Sequence, residues 1–131
     1  MALLLDTHFV FGLVGAPMWL SRAQERFLED HEDPFVVSAV SLWEIRLKWN
    51  AFSRVGARKG PAGPEEVLEV LRNRQVVLLS LKPEHAAATL SVPLAHKDPF
   101  DELLLVQAQV EGHQLLTRDK LLRNHPLAQA I

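Results

Sequence analysis

Leu3-Leu4-Leu5-Asp6-Thr7 is the stretch on which the fold turns. A charge-free apolar run that stops at a carboxylate reads as a central parallel strand, buried on both faces, that delivers an acid to the edge of a sheet. Three later stretches carry acids toward the same edge. They are Ser38-Ala39-Val40-Ser41-Leu42-Trp43-Glu44-Ile45, His96-Lys97-Asp98-Pro99-Phe100-Asp101 and Leu115-Leu116-Thr117-Arg118-Asp119.

Outward from the first strand, a short helix is predicted from about His8 to Gly15, where Gly15-Ala16-Pro17 stops it. Ser21 is the expected N-cap of a second helix reaching about Asp30. Phe35-Val36-Val37-Ser38 is a second strand, and a helix follows from about Val40 to Phe52 with Ile45 and Trp49 on its apolar face. Arg54 to Gly63 is rich in Gly and basic residues and reads as a loop, and Pro64-Glu65-Glu66 opens the next helix with Pro at N1. Val76-Val77-Leu78-Leu79 is a third strand, and Pro83 starts a helix ending near Ser91. A longer helix runs from the N-cap Asp98 to the stop at Gly112. Gln114-Leu115-Leu116-Thr117 is a fourth strand, Asp119 to Arg123 a helical turn, and Leu127 to Ile131 a short edge strand. Strands alternating with helices give an α/β fold, with a mainly parallel central sheet of four to five strands and helices on both faces. In such a sheet strand C-termini and helix N-termini share one edge, where ligands bind.

With 131 residues the chain is expected to form one domain over 1–131, large enough for a single continuous core. A net charge of -2 gives no global basic field, so a nucleic-acid partner has to be met by a local patch. The absence of Cys removes disulfides, thiol nucleophiles and Cys-ligated zinc, and fits a reducing compartment, with cytoplasm the expectation. The charge-free stretch from Thr7 to Ser21 is too short and too interrupted by Gly and Pro to span a membrane. It follows Asp6 where a signal peptide would carry Lys or Arg. Because that stretch holds more apolar surface than one short helix buries, part of it is expected to meet another chain.

Each acid alone has a plain structural use. Glu44 could be the back-reaching half of a capping box begun by Ser41, Asp101 stands in a first helical turn, and Asp6 and Asp119 could cap the helices after them. Together they ask for more, because carboxylates brought within a few ångströms repel and raise one another's pKa unless a cation sits among them. An all-oxygen set, with no Cys and no His at ligand spacing, favours Mg2+ or Mn2+ over zinc or copper. The usual work of such an ion is to polarise a phosphoryl oxygen and activate a water for phosphodiester cleavage. The sequence holds no G-x-S-x-G elbow, P-loop, G-x-G-x-x-G or H-E-x-x-H. Of the histidines, His96 is the one placed to touch substrate, and Trp43 and Trp49 read as core. Arg46, Lys48, Arg54, Arg58 and Lys59 are the candidate phosphate contacts.

In this order and within this length, the four stretches resemble the motifs of PIN-domain ribonucleases, in particular the toxins of VapC-type toxin-antitoxin pairs. The resemblance covers nearly the whole chain. It implies a parallel sheet with the first strand in the middle and an acidic quartet of Asp6, Glu44, Asp101 and Asp119 around Mg2+, with Thr117 beside the fourth acid and Thr7 after the first. It further implies RNA cleavage, a homodimer, and a cognate antitoxin whose tail enters the acidic groove. Position 102 departs from the pattern, with Glu where a basic residue is expected. The rival readings are a PIN-fold domain that binds RNA or a partner without catalysis, and a receiver-like signalling domain. The latter needs an acid after the third strand, where Ser80-Leu81 stands.

Overall fold

A computed structural model of the protein describes residues 2–15, 19–51 and 62–131. β1 (Leu3–Leu5) lies in the middle of a five-stranded, all-parallel sheet with β2 (Phe35–Ser38) and β4 (Gln114–Thr117) on either side. The edges are β3 (Val76–Leu79) beyond β2 and β5 (Ala128–Ala130) beyond β4. The central place of β1 follows from its sequence, since three leucines with no polar side chain can only be covered on both faces.

The period of two along the strands splits the core into two layers. Leu3, Leu5, Phe35, Val37 and Leu116 pack on one face with Phe9, Val10 and Phe11 of α1 (Thr7–Leu13), Ile45 of α3 (Ala39–Asn50) and Val67 and Leu71 of α4 (Pro64–Arg72). Leu4, Val36 and Leu115 pack on the other face with Leu104, Leu105 and Ala108 of α6 (Pro99–Glu111) and with Leu90 and Leu122. Each large side chain moved out of water in this way contributes about 1.5–3 kcal/mol. Phe9, Val10 and Phe11 are thus taken up by the chain's own core, which accounts for much of the apolar surface between Thr7 and Ser21. At the β3 edge the cover is incomplete, and Val77 and Leu78 are exposed.

Helix starts follow their caps. In α2 (Arg22–Asp30) Ser21 and Gln24 form the reciprocal capping box. Asp98 caps α6 by accepting from the backbone N–H of Phe100 at 2.9 Å and of Asp101 at 3.3 Å. Gly112 ends α6 at φ 72°, a left-handed conformation that favours glycine. Three boundaries differ from expectation. α1 begins at Thr7 because Asp6 is its N-cap. α3 begins at Ala39 because the Ser38 hydroxyl accepts from Val40 N–H, so Glu44 sits in the second turn and is not the partner of a Ser41 cap. α5 (Pro83–Ala87) stops at Ala87, short of Ser91. Among the described residues no helix is long and apolar enough to cross a membrane. Arg54, Arg58 and Lys59 lie outside the described residues.

Candidate active site

Asp6 leaves the C-terminal end of β1 and turns back on the first turn of α1, where its Oδ1 accepts from Phe9 N–H at 3.1 Å. The carboxyl is almost entirely buried, and burial pushes its pKa up from 3.8 to about 6. The nearby charges of Asp101 and Glu44 push the same way, while hydrogen bonds from the Thr117 side chain and Phe9 N–H pull it back.

Thr7, next in the chain, points across to α3. Its hydroxyl donates to Glu44 Oε1 at 2.6 Å and lies 3.2 Å from the hydroxyl of the buried Ser41. Lys48, one turn after Glu44, donates to the other oxygen, Oε2, at 2.7 Å. Both oxygens of this buried carboxylate therefore have a partner, which is what lets a charge sit there.

Asp101 stands at the third position of α6, left free for the site because Asp98 does the capping. His96 Nε2 lies 2.9 Å from its Oδ2. Burial raises the Asp101 pKa, with the Asp98 and Asp119 charges adding to the effect and His96 opposing it. Asp119 follows β4 and is held by its own loop. Its N–H donates to Thr117 Oγ1 at 3.0 Å and its Oδ1 accepts from Leu121 N–H at 2.9 Å.

All four acids border one open cleft of about 530 Å3 at the C-terminal edge of the sheet, where two of them arrive on strand ends and two on helices. The structure does not gather them equally. His96, Asp101 and Asp119 have donor atoms within 4.8 Å of one another and, among the described residues, form the group able to hold a cation. Asp6 and Glu44 line the same cleft outside it. The expectation of no His at ligand spacing therefore fails in space, since His96 and Asp119 are far apart in sequence and meet only when α6 packs beside β4.

The cations also sort differently from the sequence reading. Lys48 reaches the cleft. Arg46 does not: it lies over the Trp43 ring, 5.2 Å from its centre, in a separate groove between α3 and α4 that Trp49 also lines. Trp43 is half exposed rather than core. Arg118, Lys120 and His8 line the acidic cleft without having been singled out, and Trp19, from the apolar stretch expected to meet another chain, lines it too. The signal for the first two was present, because both neighbour Asp119 on a loop that has to face the site. The His8 ring nitrogen contacts the Trp19 carbonyl, and burial, helped by the Arg118 charge, lowers its pKa.

Comparison with known proteins agrees with this architecture. The family model described as PIN domain matches residues 3–126. The chain is 33% identical over 125 residues to Ribonuclease VapC22 of Mycobacterium tuberculosis, covering 93% of this chain and 90% of that protein. Among solved structures it is similar to a toxin-antitoxin complex from Klebsiella pneumoniae, with a TM-score of 0.63 and 18% identity over 99% of this chain and 97% of that one. It is also similar to VapBC from Salmonella typhimurium in a DNA-bound crystal structure, with a TM-score of 0.63 and 16% identity over 100% and 97% of the two chains. These structural likenesses concern the fold.

Proposed function

From the premise that this chain belongs to the PIN domain family, we propose that it is a metal-dependent endoribonuclease and the toxin half of a toxin-antitoxin pair. The observation that carries the proposal is the delivery of Asp6, Glu44, Asp101 and Asp119 from four separate elements to one cleft. Caps alone would not need that convergence, and mutual repulsion opposes it.

In this reading Asp101 and Asp119, with Asp6 lining the same cleft, would hold Mg2+ or Mn2+, which would supply polarisation of a phosphoryl oxygen and a water of lowered pKa. The chain's own residues do the rest. Glu44, fixed by Thr7 and neutralised by Lys48, keeps lone pairs with which to orient the attacking water. Thr117 holds Asp6 and the Asp119 loop in register. Lys48, Arg118 and Lys120 are the cations in the cleft that can meet phosphates, and Arg54, Arg58 and Lys59 are further phosphate contacts proposed from the sequence alone. The same acidic cleft would receive a basic tail from the cognate antitoxin. A homodimer acting in the cytoplasm completes the proposal.

The test is cleavage of RNA by the purified protein with and without divalent metal, with Asp101→Asn as the control. Cleavage that ignores both metal removal and the substitution would refute the reading.

A further inference from the structure

The metal centre expected from the sequence is all-oxygen, but a nitrogen donor stands inside it. Building on the nuclease reading above, we propose that His96 Nε2 ligates the divalent ion together with Asp101 and Asp119, and that this nitrogen makes the centre select Mn2+ over Mg2+.

The first support is distance. Metal–ligand bonds of about 2.1 Å at right angles put neighbouring donor atoms about 3 Å apart, and His96 Nε2 lies 2.9 Å from Asp101 Oδ2. A hydrogen-bonded His–Asp pair would show the same separation but has no need of a third acid. Here Asp119, arriving on a different loop, brings its oxygen within 4.8 Å of both.

The second support is the state of the competing donors. Both oxygens of Glu44 have partners, in Thr7 and Lys48. Asp98 is occupied by two backbone N–H groups. The Nδ1 of the buried His85 accepts from Lys82 N–H at 3.0 Å and lies 3.2 Å from Gln107 Nε2, so its Nε2 keeps the ring proton and has no lone pair to give. The His8 ring nitrogen faces the Trp19 carbonyl, which can only accept. His96 differs, since its Nδ1 has no hydrogen-bond partner among the described residues and so commits the ring to neither tautomer. The pairing of Nε2 with Asp101 Oδ2 is the one contact an ion would have to replace.

Selectivity follows from donor type. Mg2+ demands oxygen ligands in near-ideal geometry and gains little from imidazole, whereas Mn2+, the weakest binder of the first-row divalent series at a given N/O site, tolerates one imidazole nitrogen among carboxylate oxygens.

The experiment is pulsed EPR on the full chain loaded with Mn2+ in the absence of RNA. Nitrogen-14 modulation from a directly bound imidazole is expected in the wild type and is lost in His96→Gln. In metal titrations the same substitution weakens Mn2+ binding by about tenfold or more and Mg2+ binding by less than about threefold. A wild-type spectrum without nitrogen coupling overturns the proposal whether or not Mn2+ binds, and it does not depend on the variant folding. Equal loss of both metals in a folded His96→Gln overturns the selectivity. RNA cleavage by the wild type, measured alongside, separates the two levels. Cleavage without nitrogen coupling leaves the nuclease standing with an all-oxygen centre, and nitrogen coupling without cleavage leaves the centre and removes the nuclease.

Discussion

Thr7 and Glu44, 37 residues apart, are joined by a 2.6 Å hydrogen bond from the threonine hydroxyl to Oε1. This bond ties the end of β1 to the second turn of α3, and with it the residue beside Asp6 to an acid of the same cleft that lies outside the cation-binding group. Thr7→Val keeps the side-chain shape and leaves a buried carboxylate oxygen unpaired. It is expected to cost about 1–3 kcal/mol in urea denaturation. RNA cleavage should fall with it, and Thr7→Ser should restore most of both. An unchanged unfolding midpoint in Thr7→Val would show that the bond does not hold Glu44.

Asp6 gives the metal-free protein a pH dependence of definite sign. Its carboxyl titrates near 6 in the fold, above its ordinary 3.8, so folding favours the protonated form. The resulting stabilisation is full below the ordinary value and is lost as pH rises through 6, leaving the metal-free protein less stable at pH 7 than at pH 5 by on the order of 1 kcal/mol from this group. Asp6→Asn keeps a good N-cap, removes the charge and should flatten the dependence while abolishing cleavage. Melting curves at the two pH values check this. A wild type equally stable at both, with Asp6→Asn no different, would contradict it.

Asp98 and Asp101 stand three residues apart and do different work. Asp98 accepts from two backbone N–H groups, whereas Asp101 faces His96 and the cleft. Asp98→Ser should keep most of the stability and much of the activity, and Asp98→Ala should lose about 1 kcal/mol. Asp101→Asn should fold and cleave nothing. An active Asp101→Asn beside an inactive Asp98→Ser would reverse the assignment.

The cleft cations predict the salt response. RNA binding that engages Arg118 and Lys120 should lose about 0.7 in the slope of log K against log salt for each one replaced by Gln. Arg46→Gln should leave the slope alone, since Arg46 rests on Trp43 in the other groove. Filter binding of a noncleavable RNA across a salt series decides between them. A slope that follows Arg46 and ignores Arg118 would move the phosphate path to the α3–α4 groove.

The fold was readable because its signals were local. Apolar runs such as Leu3–Leu5 and Val76–Leu79 have one plausible use, and Ser21, Asp98 and Gly112 mark helix ends by their own side chains or lack of one. The start of α3 was ambiguous, since Ser38 and Ser41 are both acceptable caps, and the choice depends on Ser38 also donating to Gln107 on α6, a contact made only in the folded chain. The acids were readable as a set, because each follows a strand or stands in the first two turns of a helix. Their unequal grouping was not, because it depends on how far α3 and α6 stand from the β1 end. Arg46 shows the limit of proximity in sequence: Glu44 and Lys48 share a face of α3 by their four-residue spacing, and Arg46, two residues from each, is carried to the opposite side.

The central claim is that this cleft cuts RNA with a bound divalent ion. The most direct measurement is the rate of cleavage of a labelled single-stranded RNA by purified wild type and Asp101→Asn, each with chelator and with saturating Mn2+ or Mg2+. The account predicts cleavage only by the wild type with metal. Cleavage that persists in chelator, or in metal-loaded Asp101→Asn freed of contaminating nuclease, would contradict it.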